Sequence, residues 1–199
     1  MNTERELSLL EVHEMDKKRV VKEVRDWIIA LGVAIIAALL IRTYLFAPVL
    51  VDGQSMMPTL HDQNRMIVNK IGYIVGEPER GDIVVFHATE ERDYIKRVIG
   101  LPGDTVEYDN DVLLINGKKV DEPYLDEYKK QIEDGTLTDN FKVEELYGIK
   151  KIPKGKYWLM GDNRRFSQDS RHLGPIERNK IVGKTNLVFW PLNDFRTAE

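Results

Sequence analysis

The sequence contains no cysteine and only four histidines among its 199 residues. Without cysteine, the chain can have no disulfide framework, no thiolate–zinc site, no CxxC redox centre and no cysteine nucleophile. Basic side chains are slightly outnumbered, with 29 Lys and Arg against 33 Asp and Glu, so the formal net charge is −4. Because binding to a phosphate backbone depends on clustered Lys and Arg, this balance predicts no nucleic-acid partner. Patterns such as HExxH are also missing, so the sequence predicts no metal and no cofactor.

One stretch near the N-terminus differs from this polar average. Residues 27–41 (WIIALGVAIIAALLI) are uncharged, and aromatic residues flank them on both sides. Fifteen residues are short for a hydrocarbon core of ~30 Å, which needs about 20 residues. Extending the helix through TYLF predicts a membrane span over residues 27–46, with Pro48 ending the helix. A buried core helix or a cleaved signal peptide are the alternatives. The first would normally show a polar stripe, and the second does not usually follow a 26-residue leader with seven acidic residues.

The charges beside the span predict its orientation. Five basic residues lie between positions 17 and 25, directly before the apolar run. Since basic flanks stay on the cytoplasmic side, we expect a single-pass cell-membrane protein with a cytoplasmic tail, residues 1–26. Residues 47–199 would then form a domain on the extracytoplasmic face. The tail is not of the Arg- and Ser-rich, acid-poor type that targets proteins to organelles.

The chain beyond the span is rich in short β-type segments. No long helical pattern separates them, so we predict a mainly β fold, with one N-terminal transmembrane helix followed by an antiparallel β-sheet or barrel. The dipeptide Asn116-Gly117 indicates a two-residue hairpin turn. Residues 121–154, of which 15 are charged, are predicted to be a small insertion with a short surface helix. The segments are RMIVN (65–69), GDIVVFHA (81–88), DYIKRVIG (93–100), DTVEY (104–108), DVLLI (111–115), KYWLM (156–160) and KTNLVFW (184–190).

Three polar clusters in this domain contain the residue types of a serine/lysine hydrolase. They are GQSMMPTL (53–60) with Ser55, YIKRVIGLPGD (94–104) with Lys96, and GDNRRFSQDSR (161–171). A serine hydroxyl needs a base within hydrogen-bond reach, and lysine can be that base if burial lowers its pKa from ~10.4 by roughly 2–3 units. Taken singly, each cluster also fits an ordinary turn, a solvent-facing Lys–Arg pair or a braced loop.

A histidine-based triad has less support. His61, His87 and His172 are scattered along the chain, and Ser55 does not lie in a GxSxG elbow. We therefore expect these three histidines to be packing or surface residues.

The three clusters, in this order behind an N-terminal anchor, resemble those of bacterial type I signal peptidases. These are membrane-bound Ser/Lys endopeptidases that remove signal peptides from exported preproteins. The resemblance covers residues 27–190, and the short single anchor and small insertion resemble Gram-positive members. It implies that Ser55 is the nucleophile and Lys96 the general base of an acyl-enzyme reaction. It also implies two partners, secretory preproteins and the lipid bilayer.

Supporting residues also follow from the resemblance. Ser167 corresponds to the hydroxyl that orients the lysine amine in the family. Asp169 and Arg171 correspond to an ion pair that braces the site, and Asp162 corresponds to an acidic residue of the same support.

The substrate pockets and the oxyanion hole are implied in the same way. The family accepts small residues at positions −1 and −3 of the cleavage site, in shallow pockets. The Ser55 backbone N–H is expected to be one oxyanion donor. Gly53 occupies the position at which Gram-negative members carry a second, serine donor, so the second donor here is open. The pocket positions correspond to Met56, Leu60 and Ile95.

Other functions remain possible at this stage. A self-cleaving repressor-type protease shares the Ser/Lys chemistry, but the span and the missing DNA-binding region disfavour it. A processing protease of an organelle inner membrane is disfavoured by the tail. In a non-catalytic anchored β module, Ser55 and Lys96 would be ordinary turn and strand residues.

Overall fold

The structure is a computed structural model that describes residues 2–198, with side chains described in 19–43, 45–73 and 76–198. The chain divides into two compact units, Met1–Tyr44 and Leu45–Glu199.

The first unit is a single long helix. Helix α1 runs over Asn2–Leu40 and continues into a π-helical turn, Ile41–Leu45. Within it, the 25 residues of Arg19–Thr43 are long and apolar enough, by length and composition, to cross a membrane. At 1.5 Å per residue they extend about 37 Å, which exceeds the ~30 Å hydrocarbon core. The predicted span, 27–46, starts and ends later than this stretch.

The second unit begins with a strand that the sequence did not indicate. Strand β1 covers Phe46–Leu50, so Pro48 lies inside a strand and the predicted helix stop at this residue is wrong. The strand is at the edge of its sheet, where a proline removes no internal hydrogen bond of the ladder. The remaining strands of the described chain are β2 (Arg65–Asn69), β3 (Ile83–His87), β4 (Asp93–Gly100), β5 (Val106–Asp109), β6 (Val112–Ile115), β7 (Lys118–Val120), β8 (Phe141–Lys142), β9 (Lys156–Met160), β10 (Ile176–Glu177), β11 (Ile181–Trp190) and β12 (Arg196–Thr197).

The strands form two antiparallel sheets. The larger has the order β1-β2-β11-β3-β4-β9-β10, with β12 also paired to β11, and the smaller has the order β7-β6-β5-β8. Register shifts in β11 mark bulges, which increase local twist and help the large sheet to curl. The predicted antiparallel, mainly β fold is therefore confirmed. Short helices connect the strands: α2 (Gly72–Val75), α3 (Asp126–Lys130), α4 (Val143–Tyr147) and α5 (Ser170–Leu173).

Residues 121–154 are more integrated than a surface insertion would be. The predicted helix in this segment is present as the short α3, but β8 also lies here and pairs with β5, placing Phe141 opposite Tyr108. Val143 and Ile152 are 2% exposed and belong to the apolar cluster around Trp158. The segment therefore completes the second sheet and its core.

The register of the large sheet determines where the polar clusters meet. In the β3–β4 pair, Lys96 lies opposite Val84, and in the β4–β9 pair, Arg97 lies opposite Met160. Strand β4 thus has neighbours on both edges, and Lys96 and Arg97 are 3% and 2% exposed. Because β9 ends opposite Arg97, the chain that leaves it, from Gly161 onward, begins beside this strand.

Candidate active site

Ser55 and Lys96 are in direct contact. The Lys96 Nζ atom lies 2.7 Å from Ser55 Oγ and donates a second hydrogen bond of 3.0 Å to the Ile95 carbonyl oxygen. Strand β4 supplies the lysine, and the loop between β1 and β2 supplies the serine. The distance is within the range needed for proton transfer between a nucleophile and its base.

The loop that carries Ser55 is fixed on both sides of the serine. Met56 and Leu60 are almost fully buried in the apolar cluster that also contains Ile95. Gly53 has a φ of +94° and donates its N–H to the Asp62 carboxylate at 2.8 Å. Since this φ disfavours residues with a Cβ, a serine at position 53 would strain the loop.

Burial makes Lys96 a plausible base near neutral pH. Removal from water lowers the pKa of Lys96 to about 8, against the opposing charges of Asp169 and Asp162, while Arg171 lowers it further. Desolvation dominates because it penalises the ammonium form of the side chain. A substantial neutral fraction therefore exists close to neutral pH.

The predicted Asp169–Arg171 ion pair is present. Arg171 donates from Nε to one carboxylate oxygen at 2.9 Å and from Nη2 to the other at 2.8 Å. The Gly161 N–H also donates to Asp169, at 3.0 Å. Although burial opposes ionisation, Arg171 and these hydrogen bonds keep the pKa of Asp169 below its usual value. The carboxylate therefore ties the chain after β9 to the start of α5.

Asp162 is also paired, with a residue that the sequence interpretation missed. Arg97 donates to its two carboxylate oxygens at 3.0 and 2.7 Å, and the Asp162 side chain has no exposed surface. Arg97 also donates to the Gly81 carbonyl oxygen at 2.9 Å. Strand alternation, which puts Arg97 on the same face as Ile95, was the available signal, because a guanidinium on an apolar face requires a buried partner.

Ser167 is brought to the site but does not contact the lysine amine. Its hydroxyl is buried and forms no hydrogen bond of normal geometry among the described residues, although its interaction with the Asp169 carboxylate helps to lower the pKa of that group. The two hydrogen bonds of Lys96 go to Ser55 and to the Ile95 carbonyl instead. The predicted role of Ser167 in orienting Lys96 is therefore not visible as a contact and stays a prediction.

Asn163 is a second residue that the sequence interpretation missed. Its backbone N–H donates to the Ser55 carbonyl oxygen at 3.1 Å, and its side-chain amide donates to the Gln54 carbonyl oxygen at 3.0 Å. Two carbonyls of the serine loop are thus held by one residue from the chain after β9. Sequence alone gave no signal for this contact, because the partners are more than 100 positions apart.

A cleft of about 160 Å³ opens beside Ser55 and Lys96. Of the three residues predicted to line the substrate pockets, Met56 and Ile95 line this cleft, whereas Leu60 is fully buried and lies outside its lining. One wall is closed by the Tyr94 hydroxyl, which donates to Gln168 Oε1 at 3.1 Å. Both polar and apolar side chains line the cleft.

The three histidines of the second unit do not line this cleft. His61, His87 and His172 are exposed, and His87 pairs with Asp93 at 2.6 Å. Among the residues that the structure describes, no group of His, Asp and Glu could hold a metal ion.

Comparison with known proteins identifies the family. The profile of the family "Signal peptidase, peptidase S26" matches residues 24–190. A signal peptidase I of Bacillus caldolyticus is 49% identical over 87% of this chain and 94% of its own length. A signal peptidase IB of Staphylococcus aureus is 46% identical over 88% of this chain and 94% of its own length. The crystal structure of a signal peptidase I from Enterococcus faecalis matches with a TM-score of 0.52 and 37% identity, covering 55% of this chain and 97% of that one. The chain belongs to the bacterial type I signal peptidases, the serine proteases that cleave signal peptides from exported preproteins.

Proposed function

We propose that Ser55 and Lys96 are the nucleophile and the general base of this signal peptidase. The observation that carries the proposal is the 2.7 Å contact between Lys96 Nζ and Ser55 Oγ in a site where the lysine is 3% exposed. A neutral Lys96 accepts the Ser55 proton as Oγ attacks the scissile carbonyl carbon. The resulting ammonium then donates that proton to the departing amine, which leaves an acyl-enzyme on Ser55.

Hydrolysis of the acyl-enzyme uses the same two residues. Lys96, neutral again, accepts a proton from water as the water oxygen attacks the ester carbonyl, and it returns the proton to Ser55 Oγ when the acyl group leaves. The backbone N–H of Ser55 donates to the oxyanion in both steps. The paired carboxylates of Asp169 and Asp162 hold the surrounding chain without presenting an unpaired acid to the lysine.

The cleft supports cleavage after small residues at positions −1 and −3. In this proposal its volume of about 160 Å³ accommodates two small substrate side chains and part of the peptide backbone. Met56 and Ile95 line it with apolar atoms, and the hydrogen bond between Tyr94 and Gln168 limits its width. Large side chains would have to displace one of these walls.

We further propose that the first helix anchors the enzyme in the cell membrane as a single span. The stretch Arg19–Thr43 has the length and composition for this. Its basic N-terminal flank favours a cytoplasmic N-terminus and an extracytoplasmic catalytic domain, residues 47–199. Signal peptides carry their own apolar segment in the same bilayer, so a membrane-bound enzyme meets its substrate in two dimensions.

A cleavage assay tests the catalytic assignment. Detergent-solubilised full-length enzyme is incubated with a peptide that spans an Ala-x-Ala site. Ser55→Ala and Lys96→Ala should each abolish cleavage, whereas Lys118→Ala, which changes an exposed lysine, should cleave at the wild-type rate. Retention of full activity by Lys96→Ala would exclude it as the base.

The absence of cysteine allows a clean test of topology. Single cysteines are introduced by Asn2→Cys and by Lys154→Cys and are labelled in intact cells with a membrane-impermeant maleimide. The proposal expects labelling at position 154 only, and labelling at position 2 in intact cells would contradict it.

A further inference from the structure

A buried ion pair links the segment 121–154 to the chain that follows β9. Arg164 Nη2 lies 2.6 Å from Glu122 Oε1, and the two side chains are 0% and 2% exposed. The hydroxyls of Tyr108 and Tyr124 donate to the same carboxylate oxygen at 2.7 and 2.8 Å. Burial opposes ionisation of Glu122, but Arg164 and the hydrogen bonds from the two tyrosines together keep the pKa of this carboxyl below its usual value. Glu122 is therefore a charged anchor with three donors on one oxygen.

Arg164 connects Glu122 to the backbone beside Ser55. Its Nε donates to the Gly161 carbonyl oxygen at 3.0 Å. A Cβ placed on Gly161 would lie 2.4 Å from the Ser55 carbonyl oxygen and 2.3 Å from Ser167 Oγ, so the Gly161 α-carbon is packed against both. A shift of Gly161 would therefore move the backbone of the nucleophile.

Tyr124 connects Glu122 to Arg97, the residue next to Lys96. The Arg97 guanidinium carbon lies 3.8 Å from the centre of the Tyr124 ring, which is the geometry of a cation–π contact. Arg97 follows Lys96 in β4 and holds Asp162 with two hydrogen bonds. Glu122 thus reaches the serine side of the dyad through Arg164 and the lysine side through Tyr124.

We propose that Glu122 is a positioning residue of the peptidase reaction, which sets the geometry between Ser55 and Lys96 through Arg164 and Tyr124. The inference rests on the proposed roles of Ser55 and Lys96. A purely stabilising role explains the pair less well, because a buried ion pair adds little stability over apolar residues of the same volume. A fixed carboxylate does orient its partners: the Arg164 guanidinium and the Tyr124 hydroxyl both bind Glu122 Oε1, which fixes the orientation of both side chains.

Single-turnover kinetics with Glu122→Gln tests the proposal. Full-length enzyme in detergent is mixed in saturating excess over a fluorogenic signal-peptide substrate, so that the cleavage rate constant does not depend on the fraction of inactive enzyme. We expect this rate constant to fall by about tenfold, since displacements of up to 1 Å at a catalytic centre cost up to about a hundredfold. Glu127→Gln, which removes an exposed charge from the same segment, should leave the rate constant unchanged.

The outcomes separate positioning from stability. An unchanged rate constant in Glu122→Gln, with a lower melting temperature, would show that Glu122 only stabilises the fold and would overturn the proposal. If Glu122→Gln does not fold, Tyr124→Phe decides. It keeps the ring over Arg97 and removes only the hydroxyl, which donates to Glu122 at 2.8 Å and accepts from Arg164 at 3.3 Å. We expect about a threefold decrease in the rate constant, and no decrease overturns the proposal. Ser55→Ala is measured in parallel. If it still cleaves, the proposed function fails, whereas an inactive Ser55→Ala beside an unaffected Glu122→Gln refutes only the positioning role.

Discussion

Gly161→Ala should disable catalysis while leaving most of the fold intact. Gly161 follows the last residue of β9, and an added Cβ would lie 2.3 Å from Ser167 Oγ and 2.4 Å from the Ser55 carbonyl oxygen. Distances below 3.0 Å are essentially never seen for a Cβ, so something must move. The Ser167 hydroxyl can rotate, but Ser167 Cβ, at 2.7 Å, and the backbone oxygen of Ser55 can yield only if the backbone of their segments moves.

The size of the effect follows from that contact. Restoring an ordinary van der Waals distance requires the Ser55 carbonyl and Gly161 to separate by about 1 Å, and overpacking of this kind typically costs about 1–3 kcal/mol of folding free energy. Nucleophile displacement of about 1 Å lowers the rate by about a hundredfold, which corresponds to about 2.7 kcal/mol in the activation barrier. We therefore expect kcat to fall about a hundredfold in a protein that still folds.

Gly183→Ala provides a matched control. A Cβ at Gly183 would lie 2.5 Å from the Asn69 carbonyl oxygen, a backbone clash of the same severity between β11 and β2. Both variants should lower the midpoint of chemical unfolding, but only Gly161→Ala should lower kcat, measured on a fluorogenic peptide at a temperature where both are folded. Equal kcat values for the two variants would refute the argument that contact with Ser55 is what matters.

Three further predictions concern the base, its support and the cleft. In the proposed mechanism only neutral Lys96 acts as the base, and its pKa is lowered to about 8, so kcat/KM should rise as pH increases through about 8. Asp162→Asn removes the buried carboxylate that accepts two hydrogen bonds from Arg97, and it should lower the free energy of unfolding by up to about 3–5 kcal/mol, measured by denaturant titration. It also removes a charge that raises the pKa of Lys96, so the pH midpoint should move down. Gln168→Ala removes the acceptor of the Tyr94 hydroxyl and should increase cleavage of peptides with Val or Leu at −1 or −3 by up to about tenfold, relative to Ala.

Each of these has a control and a contradicting result. Asp121→Asn breaks an ion pair whose partners are 67% and 83% exposed, so its effect on stability should be within about 0.5 kcal/mol. Asn179→Ala changes an exposed amide and should leave the substrate preference as it is. A rate independent of pH between 7 and 9, or an upward shift in Asp162→Asn, would contradict the account of Lys96. An unchanged preference in Gln168→Ala would show that its hydrogen bond does not limit the cleft.

Much of the sheet was predictable because its strands are short, apolar and clearly bounded. The segments RMIVN and DYIKRVIG were predicted with the bounds that β2 and β4 have. The hairpin at Asn116-Gly117 is confirmed, with β6 and β7 paired around it and both residues at positive φ. These features depend on neighbouring residues alone, which is the information that a pattern contains.

What the sequence did not indicate depends on contacts between distant segments. The pattern of β1 is short and contains Pro48, and only its pairing to β2 makes it a strand. Arg97, Asn163 and Glu122 are polar residues whose partners lie 65, 108 and 42 positions away. A charged residue in a polar segment, such as Glu122, looks like a surface residue until the fold buries it. Only the folded chain brings these residues next to their partners.

The pairing of charges around Lys96 explains why this site has so many ionisable residues. The proposed mechanism requires a neutral Lys96, and the nearby carboxylates of Asp162 and Asp169 oppose this because both raise its pKa. Each of them is matched by an arginine, Arg97 and Arg171, which donates two hydrogen bonds to it. Because each ion pair is nearly neutral as a unit, its field at the lysine is weakened and desolvation can dominate. The carboxylates can therefore fix the backbone around the dyad, through the Gly161 N–H for example, without keeping the base protonated. By this argument, substitution of Arg171 by a neutral residue should have two effects. It removes the two hydrogen bonds that hold Asp169, and it raises the pKa of Lys96.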